Sequence, residues 1–228
     1  MIENTIQSVK EAIQECAYSC GRNQEDIKIL AVTKTQSVES IERAIRSGID
    51  LIGESRVQEA VLKIPKLHGL FKEFHFIGHL QANKINKLLT LNPVLIHSID
   101  KFSTAEKLNS ALMTNGTYLD VLIELNTSGE ITKHGISPSE ASELIKRIEV
   151  LEYVKVRGLM TIGSLSNDEN IVRNCFYKLR QLFERIKSQS PDKMQYLSMG
   201  MSSDYKLAIK EGANILRLGS ILFQHNTE

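Results

Sequence analysis

Short apolar segments alternate with helical segments along the whole 228-residue chain, and this alternation constrains the fold more than any other feature. The first, residues 27–33 (IKILAVT), is mostly apolar and β-branched, which is typical of a strand buried on both faces. The same pattern predicts strands at 50–53, 74–77, 94–98, 119–125, 154–160, 195–198 and 214–218. Strands that alternate with helices are parallel, and eight such units in this length predict a compact (β/α)8 TIM barrel.

One extra helix is expected before the barrel, because Ile2, Ile6, Val9, Ile13 and Ala17 recur at helical spacing. No linker or composition shift divides the chain, so residues 1–228 are predicted to form a single domain. A doubly wound open sheet is the alternative, although the Gly-x-Gly-x-x-Gly fingerprint of dinucleotide sites is missing.

Composition excludes several classes of function. The 28 basic and 27 acidic residues balance and Trp is absent, which disfavours nucleic acid and membrane surfaces as partners. No apolar run is long enough to span a bilayer, and the N-terminus lacks a signal-peptide pattern, so we expect a cytoplasmic protein. Three Cys without a C-x-x-C pair predict reduced thiols.

No metal site is predicted from the sequence. His75 and His79 are four residues apart, but a strand and its turn contain them, whereas the zinc signature needs that spacing on a helix. His75 is expected to be a core histidine whose ring nitrogens have partners.

Lys34 directly follows the first predicted strand, at the end of the barrel where active sites of this fold lie. Barrel closure makes that strand the neighbour of the eighth. An amine partly withdrawn from water and near other cations is easier to deprotonate and can attack a carbonyl carbon. A solvated or ion-paired Lys is the alternative.

The loops after strands seven and eight, residues 197–204 (LSMGMSSD) and 216–220 (LRLGS), are rich in Gly and Ser. Gly lets the backbone approach a ligand, and free N–H groups with hydroxyls satisfy an anion. TIM barrels often bind phosphate at these two loops, although plain turn chemistry uses the same residues. An amine at Lys34 beside a phosphate site in these two loops would suit a phosphorylated aldehyde. Pyridoxal 5′-phosphate (PLP) is one such ligand, and a sugar phosphate on an aldolase-type Lys is another.

Arg217 distinguishes the two ligands. An Arg beside the pyridine nitrogen is a known partner of PLP. It does not give up its proton readily, so the nitrogen stays unprotonated and the ring is a weaker electron sink. This favours binding or a narrow proton transfer over broad carbanion chemistry. An Arg that contacts phosphate or pairs with a carboxylate is the alternative.

These residues belong to short motifs whose order and spacing resemble the pyridoxal phosphate homeostasis proteins, a family similar to the N-terminal barrel of alanine racemase. The matching segments span nearly the whole chain: 31–35 (AVTKT), 53–59 (GESRVQE), 75–84 (HFIGHLQANK), 97–100 (HSID), 126–135 (NTSGEITKHG), 158–160 (GLM), 197–204 and 217–219.

The resemblance implies a barrel like that of PLP fold type III, with the cofactor held as an internal aldimine on Lys34. It implies Ser198, Gly219 and Ser220 as phosphate ligands and Arg217 facing the ring nitrogen. The full predicted cofactor-binding set is Lys34, Ser55, Ser198, Met199, Gly200, Met201, Ser202, Arg217, Gly219 and Ser220. No catalytic residue is predicted.

Two positions depart from the family pattern. Ser55 stands where the family usually has Asn, so an amide contact is either lost or replaced by the Ser hydroxyl. The chain reads Phe-Gln-His-Asn at 223–226, where the family usually has Phe-Gly-x-Arg, which puts the last turn near the phosphate in doubt.

The function expected is PLP binding and homeostasis with little or no turnover, with PLP-dependent apoenzymes as transient clients and a monomeric state. An amino-acid racemase of the alanine racemase type is the alternative. Such enzymes add a C-terminal β domain, and this chain ends about where the eighth strand does, so a two-base racemase is not expected. A Schiff-base aldolase is disfavoured by Arg217.

Overall fold

The computed structural model describes residues 2–223, and its eight parallel strands close into a barrel in sequence order, with β8 beside β1. The strands are β1 (Lys28–Val32), β2 (Leu51–Glu54), β3 (Glu73–Phe76), β4 (Leu95–Ile99), β5 (Leu119–Leu125), β6 (Val154–Thr161), β7 (Tyr196–Ser198) and β8 (Ile215–Leu218). Every predicted strand is present, with its ends within one residue of the prediction. The (β/α)8 barrel is therefore confirmed, and the doubly wound sheet is excluded.

Helices surround the barrel. They are α1 (Ile2–Ser19), α2 (Val38–Arg46), α3 (Val57–Lys63), α4 (Ile85–Leu89), α5 (Phe102–Asn115), α6 (Ala141–Glu149), α7 (Glu169–Gln189), α8 (Tyr205–Lys210) and α9 (Ser220–Phe223). Short 3-10 turns lie at Gln24–Asp26, Ile64–Leu67 and Ala82–Lys84. The predicted extra helix, α1, buries its apolar face and packs against α2, α8 and α9.

The helix after β2, α3, begins at Val57. Arg56 precedes it in an extended conformation, with φ −129° and ψ 120°. Ser55 is therefore left in the turn after β2, on the side of the barrel where the strands end.

The main core lies between the sheet and the helices, and a smaller apolar layer fills the barrel itself. That inner layer consists of Leu30, Leu95, Leu122, Met160 and Ile215. Side chains alternate along a strand, so the residue two positions after each member of this layer on β1, β6 and β8 also points into the barrel, closer to its mouth. This alternation aims Arg217 and the end of β1 into the same space.

Two further expectations concern the chain outside the mouth. Cys16, Cys20 and Cys175 are free thiols, as the cysteine count predicts. Between residues 2 and 223, no helix combines the length and the apolarity that a membrane crossing requires.

Candidate functional site at the barrel mouth

A cavity of about 700 Å³ opens at the C-terminal ends of the strands, between the loops of β1, β2, β7 and β8. Its lining includes seven of the predicted cofactor-binding residues: Lys34, Ser55, Met201, Ser202, Arg217, Gly219 and Ser220. Ile77 and Ile162, which the sequence analysis missed, add apolar walls. Each lies two residues after an inward-facing side chain of its strand, which is the signal that could have identified it.

The other three predicted residues do not line this cavity. Ser198 is fully buried inside the barrel, and Met199 packs in the core outside it. Gly200 has a φ of +92°, and a Cβ there would lie 2.5 Å from the Cβ of Ala208. These residues shape the β7 loop from behind the cavity.

Lys34 stands on a tight turn just beyond β1, where Thr35 has the unusual φ of +65° for a β-branched residue. The expectation that this amine is partly withdrawn from water is wrong, because Lys34 is exposed. Within the described part of the chain its ammonium group has no hydrogen bond or ion pair, so it is available to a ligand in the cavity.

A buried ionic cluster holds the turn on both sides of Lys34. Thr33 Oγ1 donates to Glu54 Oε1 (2.7 Å), and Lys63 Nζ donates to Thr33 O (2.9 Å). Lys63 Nζ also bonds Glu54 and Glu59, and Glu59 Oε2 accepts the Thr35 N–H at 3.1 Å. The Lys63 hydrogen bond and the Thr35 amide lower the pKa of Glu59. The cluster fixes the position of the turn, a role that the 53–59 motif did not reveal.

The β8 turn supplies convergent hydrogen-bonding groups on the opposite wall. Ser202 Oγ accepts the N–H groups of Gly219 and Ile221, each at 3.2 Å. Gly219 lies against the end of β1, since a Cβ there would be 3.4 Å from Val32. Two backbone N–H groups and neighbouring hydroxyls therefore face one place, as anion sites require.

Beneath the cavity, hydrogen bonds connect six side chains in series through the barrel interior. We call this series the polar column: Arg217, Ser198, His97, His75, Glu73 and Lys28. At its upper end Arg217 Nη1 donates to Ser198 Oγ (2.6 Å) and Nη2 to Thr161 O (2.8 Å). His97 Nδ1 lies 3.0 Å from Ser198 Oγ.

The lower end of the polar column reaches the opposite face of the barrel. His97 Nε2 lies 3.0 Å from His75 Nδ1, and His75 Nε2 lies 2.9 Å from Glu73 Oε2. Lys28 Nζ is 3.4 Å from the Glu73 carboxylate. The expectation that His75 is a core histidine with partners on its ring is confirmed, since it is buried and both ring nitrogens are bonded.

The two ends of the column set the direction of its hydrogen bonds. An Arg only donates and an ionised Glu only accepts, so a consistent chain places the proton of each His on Nε2. Burial lowers the pKa of His75 and of His97, and the His75 hydrogen bond lowers the pKa of Glu73 to about 2. Burial also lowers the pKa of Arg217 to about 10, which leaves it protonated at neutral pH.

A second polar group lies across the mouth, on the loops of β3, β4 and β5. Asp100 is buried, and the exposed His79 and His134 have stacked rings 4.3 Å apart. Nearby, burial and the Asp100 charge raise the pKa of Glu124 to about 7. Sequence spacing did not bring these residues together, because they come from three separate loops.

Comparison with known proteins agrees with this architecture. A family model described as "Alanine racemase, N-terminal domain" matches residues 7–227, which places the chain in that class. A protein of Aquifex aeolicus named "Pyridoxal phosphate homeostasis protein" is 40% identical over 218 residues, 96% of this chain and 95% of the relative. A protein of Schizosaccharomyces pombe with the same name is 38% identical over 224 residues, 97% of this chain and 92% of the relative. The chain belongs to the pyridoxal phosphate homeostasis protein family.

Solved structures agree with this assignment. A protein of Bifidobacterium adolescentis described as unknown superposes with a TM-score of 0.92 at 34% identity, over 97% of this chain and 94% of the other. PipY of Synechococcus elongatus PCC7942, solved with PLP bound, gives 0.85 at 28% identity, over 98% of this chain and all of PipY. Alanine racemase of Clostridium difficile shares the fold, with a TM-score of 0.75 at 16% identity, over 96% of this chain and 60% of the racemase.

Proposed function

We propose that the chain binds PLP through a Schiff base on Lys34 and serves in intracellular PLP homeostasis, with little or no turnover. One observation carries the proposal: the Lys34 amine, which has no hydrogen bond or ion pair among residues 2–223, shares a cavity of about 700 Å³ with Arg217 and with the Gly–Ser turn of β8. The names of the relatives and the PLP-bound PipY structure support the same conclusion.

Lys34 supplies the covalent link. Its amine would hold the cofactor covalently, because a primary amine condenses with an aldehyde and releases water. The ionic cluster around Thr33 and Thr35 holds the turn, so the amine needs little reorganisation to reach the cavity.

The phosphate group fits the β8 turn. The N–H groups of Gly219 and Ile221, which donate to Ser202 Oγ in this structure, and the hydroxyls of Ser202 and Ser220 would hold it. The resemblance implied Ser198 as a direct ligand. Because its hydroxyl is buried and bonded to Arg217 and His97, we propose that Ser198 acts by positioning Arg217.

Arg217 faces the cavity from below, and two of its five N–H donors are already used by Ser198 and Thr161. PLP, when bound, supplies a carbonyl group and an aromatic electron sink. A protonated Arg217 beside the ring nitrogen would leave that nitrogen without a proton, which would weaken the electron sink and suit storage better than carbanion chemistry.

We extend the proposal to the partners, location and oligomeric state of the protein. A storage protein needs transient contact with its clients, so PLP-dependent apoenzymes are the proposed partners. We propose a cytoplasmic monomer in which residues 1–228 form one PLP-binding domain. Of the Phe-Gln-His-Asn departure, residues 224–226 lie outside the described part of the chain.

Borohydride reduction tests the covalent link. The purified chain incubated with PLP should be yellow, and reduction followed by peptide mass spectrometry should place the adduct on Lys34. Lys34→Ala should abolish the adduct, whereas Lys101→Ala, an exposed Lys that follows β4, should retain it. The same adduct in Lys34→Ala would contradict the proposal.

Racemisation of alanine tests the alternative. We expect D/L exchange far below the range of about 1 per second that is typical of enzymes. Sustained exchange at that rate, lost in Lys34→Ala, would replace the storage function by an amino-acid racemase.

A further inference from the structure

We propose that Asp100, His79 and His134 form a binding site for a divalent transition-metal ion, with Zn²⁺ as the best match. The three side chains lie on the loops after β4, β3 and β5, and none of them lines the PLP-sized cavity. We call them the metal triad. The proposal goes beyond the proposed function and does not depend on it.

The ligand atoms are close to coordination distance. One atom from each residue lies within 4.8 Å of the others, and His79 Nδ1 is 4.0 Å from Asp100 Oδ2. A triangle of that size has a centre within about 2.8 Å of each corner, and zinc–ligand bonds are about 2.0–2.2 Å. Both histidines are exposed, so their rings have the freedom to make this small closure.

The buried carboxylate of Asp100 is an independent indication that the site binds a cation. Its side chain is 93% buried, with 7% of its surface exposed. Among residues 2–223, no donor makes a hydrogen bond to this carboxylate, and its one ion-pair neighbour is His79. A buried carboxylate without a hydrogen bond carries a large desolvation cost, which a bound cation would offset.

The backbone around the metal triad is already constrained. The Ser98 hydroxyl donates to the carbonyl of Gly78, which ties the residue two before Asp100 to the residue before His79. On the third loop, Ile136 N donates to Glu124 O (3.0 Å) and Asn126 N to Ile136 O (2.9 Å), so the segment carrying His134 folds back onto β5. Fixed loops reduce the entropy that a metal must overcome to order its ligands.

The ligand set selects the class of metal. Two imidazoles and one carboxylate suit Zn²⁺ and its first-row neighbours, whereas Mg²⁺ and Ca²⁺ prefer oxygen ligands. Three protein ligands leave a fourth position for water or a small anion, as in catalytic zinc sites. The sequence analysis missed the site because the three ligands share no local spacing.

Cobalt(II) titration of the chelator-treated full chain tests the proposal, because Co²⁺ in a low-coordinate zinc site absorbs visible light. We expect one equivalent to develop a d–d band that Zn²⁺ removes. Asp100→Asn and His134→Gln should each weaken Co²⁺ binding at least about tenfold. His68→Gln, at an exposed histidine outside the triad, should leave binding unchanged.

The variants also separate this site from the cofactor site. His134 is exposed, so His134→Gln should fold normally, which its thermal unfolding would verify. Lys34→Ala should bind Co²⁺ as tightly as the unchanged chain even if the PLP proposal fails. The metal site would be overturned by the absence of a band, or by equal Co²⁺ affinity in the unchanged, Asp100→Asn and His134→Gln proteins.

Discussion

The two halves of the barrel mouth present different chemical groups. On the β1, β7 and β8 side, the Lys34 amine, which has no partner in the described part of the chain, faces backbone N–H groups and hydroxyls supplied by Gly–Ser turns. On the β3, β4 and β5 side, two imidazoles and a buried carboxylate face one another. We call these the cofactor half and the histidine half. The contrast shows that one end of the barrel carries both a wall of backbone donors and a cluster of side-chain donors, and we expect the two to differ in their sensitivity to substitution.

Gly78 connects the two halves, and we expect its replacement to have the largest effect. A Cβ at Gly78 would lie 1.9 Å from the carbonyl oxygen of Ser55, so Gly78→Ala must push β2 and β3 apart. We expect a loss of about 3 kcal/mol or more in the free energy of unfolding, measured by urea denaturation.

Because Gly78 lies between Ser55 and His79, Gly78→Ala should weaken both PLP and Co²⁺ binding. Gly129→Ala is the matched control, since Gly129 has a φ of +76° and open space around it. It should cost only about 1 kcal/mol. Equal stability of the two variants would mean that the halves are not coupled at this contact.

His97→Phe should affect the cofactor half alone. It fills a similar volume but leaves the Ser198 hydroxyl without its acceptor and His75 Nδ1 without its donor, at a cost of about 2 kcal/mol. Arg217 then loses its fixed orientation, so PLP affinity should fall while Co²⁺ affinity stays the same. His68→Phe, on the surface, is the control. A parallel fall in both affinities would show that the column supports the whole mouth.

Acid should remove the stability that the buried histidines provide. Their pKa is lowered in the folded state, so between the ordinary value of 6.5 and the folded values the unfolded chain binds more protons. This contribution is complete above pH 6.5 and is lost as the pH falls below it, by up to about 1.4 kcal/mol per pH unit for each His. Glu73 adds a second loss between pH 4.5 and about 2.

The comparison of variants isolates this effect. Urea unfolding between pH 7 and pH 5 should give a shallower pH dependence for His97→Phe than for the unchanged chain, whereas His68→Phe should follow the unchanged chain. Identical slopes in all three proteins would show that His97 takes up protons as readily in the folded state as in the unfolded one.

The smallest expected effect concerns the strained turn of the cofactor half. Asn tolerates a φ of +65° better than a β-branched residue, so Thr35→Asn should raise the free energy of unfolding by about 0.5–1 kcal/mol. Thr90→Asn, at a Thr with φ −63°, should bring no gain. Destabilisation by Thr35→Asn would show that the Thr35 hydroxyl contributes more than the strain costs.

The fold was predictable because buried strands leave a strong local signal. Each β-branched run between helical segments marked a strand, and closure then placed Lys34 beside the β8 turn without any structural information. Gly219 and Ser220 were predicted, and line the cavity, for the same reason, since a Gly–Ser turn at a strand end is visible in a few consecutive letters.

The rest of the site depends on which way a side chain points and on contacts between distant residues. The resemblance implies Ser198 as a phosphate ligand, which stays a prediction; the structure shows that its side chain points into the barrel, where Oγ lies 3.0 Å from Nδ1 of His97, 101 positions away in the sequence. The metal triad draws on three loops in the same manner. Such pairs are set by strand register across a closed sheet, which no local pattern encodes.

Through the polar column, residues at the closed end of the barrel influence the hydrogen bonding of Arg217 at its mouth. Its one-way order depends on an obligate donor at one end, Arg217, and an obligate acceptor at the other, Glu73. A neutral amide in place of Glu73 offers both a donor and an acceptor, so each imidazole would be free to adopt either tautomer. The Arg217 guanidinium would then contact a hydrogen-bond network with more than one proton arrangement. A substitution far from the binding cavity would therefore make the electrostatic potential in that cavity less uniform.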